Sequence, residues 1–186
     1  ALPIYLKLAP MPEYHSSFVG KNQFDTACGC AFLPFQSALS GSAPSPSDNE
    51  GDFLQEVIEL FRANVLFTSF EFHGPADKSL VYLTLFVTLV LKKYSTCPNL
   101  DAAKKLSRDL QTPNFPMPGE HGFPLGGMIN APESATEGKN WKVYMQQARG
   151  ELALRLLPLC FNEDGSPNKW WLQFAKRKFM NKTMPA

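Results

Sequence analysis

Gly74-Pro-Ala-Asp-Lys-Ser-Leu-Val-Tyr-Leu-Thr-Leu-Phe-Val-Thr-Leu-Val-Leu-Lys-Lys-Tyr94 is the stretch whose reading decides the fold. From Ser79 to Leu91 it contains no charged residue, and its polar groups are Ser79, Tyr82, Thr84 and Thr88. Pro75 suits the first turn of a helix, where its missing N–H would have had no partner. Asp77 then falls at the positive end of the helix dipole, and Lys92 and Lys93 at the negative end. Val81, Val87, Val90 and the aromatic residues would also suit a buried strand, but strands usually stop within about 4–8 residues and this apolar run is longer. A membrane span needs roughly 20 apolar residues, whereas this uncharged core is shorter and bracketed by lysines. Apolar side chains on every side must be covered by protein on every side. The expectation is therefore an all-α fold, mostly helical with long ordered loops. About five helices are expected, the central apolar one at about 75–93 being surrounded by the others.

Outward from that helix, Leu54, Val57, Ile58, Phe61 and Val65 recur at helical spacing between Asp52 and Phe70. Asn99 can cap a shorter helix in which Leu100, Ala103, Leu106 and Leu110 share a face, ending before Pro113. Ser134 and Glu137 have capping-box spacing ahead of the longest helix, marked by Trp141, Met145, Ala148, Leu152, Leu156 and Leu159, with Pro158 kinking it or ending it nearby. Ser166 as cap and Pro167 in the first turn predict a final helix reaching about Phe179.

The rest of the chain is connection. A length of 186 residues with 44% hydrophobic content supports a sizeable core, while 16 prolines and 15 phenylalanines point to long ordered connections that pack by their own side chains. Residues 1–10 read as an N-terminal extension before a natural start at Met11, leaving 11–186 as one helical domain. Ala31-Phe-Leu-Pro-Phe35 reads as an extended apolar segment, and Ser37–Gly51 has the composition of an exposed, mobile loop. Asn114–Leu125 holds three prolines and two glycines, which makes it a shaped loop anchored by Phe115, Phe123 and Leu125, with Glu120 and His121 at its turn.

Chemistry is thinly represented. Gly-x-Ser-x-Gly, His-Glu-x-x-His and the phosphate-binding Gly-x-x-x-x-Gly-Lys are all missing from the sequence. Glu120 beside His121 could suggest acid–base work, but neighbours in a proline-rich turn need not face a common atom. With no secretory signal expected, Cys28, Cys30, Cys97 and Cys160 read as reduced thiols, and Cys28-Gly-Cys30 has no neighbouring His or second Cys pair at metal-ligand spacing. No catalytic residue, cofactor or metal site is expected. The formal net charge of +1 gives no global argument for nucleic acid or anionic lipid, so an electrostatic partner must be met by a local patch.

That patch is present. Between Lys169 and Lys182 there are five basic residues and no acidic one, interleaved with Trp170, Trp171, Phe174 and Phe179. Read as a basic amphipathic helix, it offers Lys176, Arg177, Lys178 and Lys182 to an acidic partner, with a nucleic-acid-binding module as the alternative.

Five blocks also carry a resemblance. Pro12-Glu-Tyr-His-Ser-Ser17, Phe61-Arg-Ala-Asn-Val65, Pro75-Ala-Asp-Lys78, the 114–125 loop and Lys169-Trp-Trp-Leu-Gln-Phe-Ala-Lys-Arg-Lys-Phe-Met-Asn-Lys182 occur in that order. Together they resemble the 21-kilodalton subunits, subunit 3, of the actin-related protein 2/3 complex, across about Met11 to Lys182. The resemblance implies a non-catalytic structural subunit of an assembly that nucleates branched actin filaments in cytoplasmic and cortical actin networks. It further implies contacts with actin-related protein 3, with actin-related protein 2 in the activated state, and with the mother filament. Nucleic acid and a membrane span are not implied, and nucleotide binding belongs to the actin-related subunits.

Overall fold

The computed structural model describes residues 12–185. A two-residue antiparallel hairpin, β1 (Thr26–Ala27) and β2 (Cys30–Ala31), precedes the helices α1 (Phe53–Asn64), α2 (Pro75–Tyr94), α3 (Leu100–Asp109), α4 (Ala135–Cys160) and α5 (Lys169–Leu172). Two 3₁₀ turns, Gln173–Lys176 and Phe179–Asn181, follow α5. The expected mostly helical architecture is present, and α2 is its axis.

Every residue of α2 from Ser79 to Leu91 is buried. The hairpin, α1, α3, α4, α5 and both 3₁₀ turns pack around it. Burial obliges its polar groups to find partners inside. Ser79 Oγ donates to the Ala31 carbonyl at 2.7 Å, Thr84 Oγ1 to the Leu80 carbonyl at 2.7 Å, and Thr88 Oγ1 to the Leu85 carbonyl at 2.6 Å. Tyr82 OH accepts from Arg149 of α4 at 3.1 Å.

The other helices start where side chains can cap them. Asp52 accepts from the Gln55 amide at 3.0 Å at the start of α1, and Asn99 from the Ala102 amide at 3.0 Å at the start of α3. At α4, Ser134 Oγ accepts from the Glu137 amide at 3.1 Å, but Glu137 does not return the bond to Ser134. Its carboxylate accepts instead from the amides of Glu133 at 2.6 Å and Cys28 at 2.7 Å. Those two amides hold its carboxyl below the usual glutamate range, and the second pins the β1–β2 turn to the long helix. Pro158 lies inside α4, which ends two residues later at Cys160.

The final helix departs from expectation. Ser166 and Pro167 do not begin it: the Ser166 hydroxyl donates to Asp164 at 2.5 Å, and Pro167 pairs with Phe161 in an isolated bridge. The hairpin-like return from α4 uses both residues, so the cap moves to Asn168, which accepts from the Trp170 amide at 2.9 Å. Nor does the helix reach Phe179, because it loosens at Gln173 and is broken at Arg177, which is extended. Its aromatic residues have two separate docking places. Trp171 and Phe174 pack on Phe61 of α1 at centroid distances of 6.3 and 6.0 Å, while Phe179 packs on Phe70 at 6.2 Å. Met180 and Asn181 take positive φ values of 53° and 55°, and the Met180 amide donates to the Phe67 carbonyl at 3.0 Å.

The 37–51 segment lies mostly at the surface, yet it is fastened to α4. Ser37 Oγ donates to Glu151 at 2.9 Å, the Ala43 amide donates to Gln147 at 2.9 Å, and Gln147 donates to the Leu39 carbonyl at 3.0 Å. A Cβ at Gly41 would stand 2.1 Å from Gln147 Oε1, so this crossing needs glycine. The proposed extension, residues 1–10, falls outside the described residues.

Candidate functional site

The basic residues singled out from the sequence line one groove of about 690 Å³. Lys176, Arg177, Lys178 and Lys182 form one wall, and Thr88, Leu89 and Lys92 from the last turns of α2, with Ser95 and Thr96 just after it, form the other. Lys176, Arg177 and Lys178 are exposed and Lys182 is half-buried. The break at Arg177 and the 3₁₀ turn after it fold the chain back, so that Lys182 lines the same groove as Lys176.

Lys92 is the member that sequence reading placed only as a complement to the helix dipole. It faces the other four because α2 ends beside them, a juxtaposition that only the fold supplies. The lining contains no acidic residue. Among the described residues no carboxylate comes within ion-pair distance of Lys92, Lys176, Arg177, Lys178 or Lys182. Five like charges therefore share one concavity whose floor includes Leu89, Leu172 and Met184. Such an arrangement can attract an acidic surface over about a Debye length, roughly 8 Å at physiological salt.

Around the corner, Arg62 of α1 lies over the rings of Trp170 and Trp171, 5.6 and 5.4 Å from their centroids. Trp170 remains 63% exposed, so the tryptophan pair both anchors α5 and presents an aromatic face beside the groove.

Other groups that might carry chemistry resolve into structural roles. Glu120 accepts from the Met117 amide at 2.7 Å and staples the 114–125 turn. His121 is exposed beside it, while Phe115, Phe123 and Leu125 are buried as anchors. The four cysteines are free and buried. Burial pushes the thiols of Cys30 and Cys160 up to about 12 and that of Cys28 to about 11, which leaves each a protonated, unreactive core group.

His15, His73 and Asp77 form a cluster that sequence reading missed, with potential ligand atoms within 4.8 Å of one another. The carboxylate is already committed. Asp77 Oδ1 accepts from the Ser16 amide at 3.0 Å, and Oδ2 accepts from the His73 amide at 3.0 Å and faces His15 Nδ1 at 2.7 Å. The two imidazoles stack with centroids 3.7 Å apart. The cluster is thus the latch that holds the start of the described chain against α2. Beside it the Tyr14 amide donates to Asn64 at 3.0 Å, Asn64 donates back to the Tyr14 carbonyl at 2.8 Å, and Ser16 and Ser17 both bond Glu56.

Four of the five blocks that carry the sequence resemblance therefore meet in space. Tyr14 pairs with Asn64, His15 and Ser16 with Asp77, and Trp171 with Phe61. The comparisons agree with that pattern. The family described as P21-Arc, the ARP2/3 complex ARPC3 (21 kDa) subunit, matches residues 11–184. An actin-related protein 2/3 complex subunit 3 from Arabidopsis thaliana is 44% identical over 168 residues, covering 90% of this chain and 97% of that relative. Proteins of the same name from Schizosaccharomyces pombe and Dictyostelium discoideum are 39% and 38% identical, covering 94% and 92% of this chain and 100% and 99% of their own lengths. With a match running almost the full length of the chain and of its relatives, the chain belongs to the ARPC3 family, the 21 kDa subunits of the ARP2/3 complex.

Proposed function

We propose that this chain acts as a non-catalytic docking subunit of the actin-related protein 2/3 complex. In this reading the basic groove, through Lys92, Lys176, Arg177, Lys178 and Lys182, seats an acidic surface of an actin-related neighbour, foremost actin-related protein 3. Contacts with actin-related protein 2 in the activated state and with the mother filament, in cytoplasmic cortical actin networks, complete the role. The observation that carries the reading is the gathering of five cations without a counter-charge on a face fixed by the buried Phe179 and the half-buried Trp171 and Phe174. Family membership supplies the assembly, and the groove supplies the chemistry of attachment.

The test is a reconstituted complex in which Lys176, Arg177 and Lys178 are all changed to Glu. Weakened incorporation or branching, more pronounced at low salt and with the subunit's own melting temperature unchanged, is expected. Parental assembly and branching at low ionic strength would show that the basic face is merely solvated.

A further inference from the structure

Arg149 lies within the helical body with only 5% of its surface exposed. An arginine guanidinium is a delocalised cation with donors and no acceptor. Yet among the described residues Arg149 has no carboxylate partner within ion-pair distance. Nη1 donates to Tyr82 OH at 3.1 Å and to Met184 Sδ at 3.4 Å, whereas Nε is buried without any partner. The cation is held instead by rings, with its Cζ 4.4 Å from the centroid of Phe86 and 4.0 Å from that of Phe115. Lys142 adds a second cation, with Nζ 4.0 Å from the same Phe115 ring. Buried charges are ordinarily paired, and aromatic faces soften a cation's field without neutralising it.

Arg149 also forms part of the wall of a cavity of about 230 Å³ between α2, α3 and the 110–114 turn. Lys93, Asp109, Thr112 and Asn114 stand in the same wall. The lining has two cations against one carboxylate. Leu89 separates this cavity from the basic groove, since it lines both. The cavity thus has a buried cation short of a counter-ion, a second cation in Lys93, and hydroxyl and amide groups to complete a hydrogen-bonded shell.

We propose that this cavity is a binding site for a compact oxoanion, a carboxylate or inorganic phosphate, with Arg149 as its buried anchor and Lys93 as the second positive charge. A guanidinium and an ammonium both form charge-assisted hydrogen bonds with either ligand. The site is independent of docking at the basic groove.

The test follows the arginine Nε–Hε signals of the full chain by NMR, the Arg149 signal being assigned from its loss in Arg149→Lys. Acetate and phosphate are titrated separately at neutral pH against chloride at matched ionic strength. A saturable shift of the Arg149 signal with one or both oxoanions, but not with chloride, is expected, and the titration that saturates identifies the preferred class. Thr112→Trp, a change at an exposed residue of the wall that leaves Arg149 in place, should weaken the response at least tenfold. Lys176→Glu in the neighbouring groove should leave it unchanged. Shifts that never saturate, that chloride reproduces, or that persist undiminished in Thr112→Trp would overturn the proposal.

Discussion

Asp77 and His15, 62 positions apart in the chain, face each other across 2.7 Å, with the carboxylate completely buried in the first turn of α2. The same carboxylate accepts from the amides of Ser16 and His73, so one side chain fastens two backbone segments to the central helix. Asp77→Ala should destabilise the protein by about 2–4 kcal/mol, because it removes bonds to a charged acceptor and leaves buried donors unpaired. Denaturant unfolding measures the loss, and hydrogen exchange at Ser16 should accelerate. An Asp77→Ala protein as stable as the parent would remove the latch from the account.

The central helix has no solvent side on which to absorb a deletion. Leu85 and Phe86 are both fully buried. Leu85→Ala should cost about 2–5 kcal/mol and Phe86→Ala about 3–5 kcal/mol, each sum including the cavity left behind. Phe86→Ala carries a further consequence, since it also removes one ring from Arg149. Thermal unfolding of the two variants reads the result, and unchanged melting temperatures would contradict a surrounded helix.

Asp52 joins α1 to α4. It caps α1 and receives Nη1 and Nη2 of Arg155 at 2.7 and 2.8 Å, while Arg155 Nε reaches Glu151 at 3.0 Å. Burial pushes the Asp52 carboxyl up, but the bonds from Arg155 and from the amides of Gln36 and Gln55 outweigh it and hold the group below the ordinary aspartate range. A depressed native value means stability that is present above the unfolded value of about 3.8 and is lost as pH falls through the native one. Asp52→Asn keeps a capable cap while removing the charge, so it should cost about 1.5–3 kcal/mol at neutral pH. Asp52→Ala should cost about 1 kcal/mol more, for the lost cap. The gap between parent and Asp52→Asn should narrow on acidification below that range. A gap that stays constant to the lowest accessible pH would show that the ion pair does not contribute.

What could be read from the chain depended on whether the deciding interactions were local. The apolar run at α2, the caps at Asn99 and Ser134, and the proline-rich loop all declare themselves within a few residues. The terminal segment was legible in its composition but not in its shape. Phe61 and Phe70, which draw its aromatic residues to two different places, lie more than a hundred positions earlier. Ser37–Gly51 is the loop its composition announces, but its tie to Gln147 is long-range and leaves no mark in that composition. The groove was half legible. Lys176, Arg177, Lys178 and Lys182 form a visible run, whereas Lys92 joins them only because α2 ends alongside. The pairing of Asp77 with His15 had no local signal at all.

The central claim is that the groove binds by charge, and the salt dependence of binding tests it most directly. Affinity of the parent chain for an actin-related protein 2/3 complex lacking this subunit should be measured across a series of salt concentrations, beside the variant with Lys176, Arg177 and Lys178 all changed to Glu. The account predicts that the parent's affinity falls steeply as salt rises, and that the variant binds at least tenfold more weakly at low salt with a much flatter dependence. Equal affinities and equal salt dependence for the two proteins would contradict it.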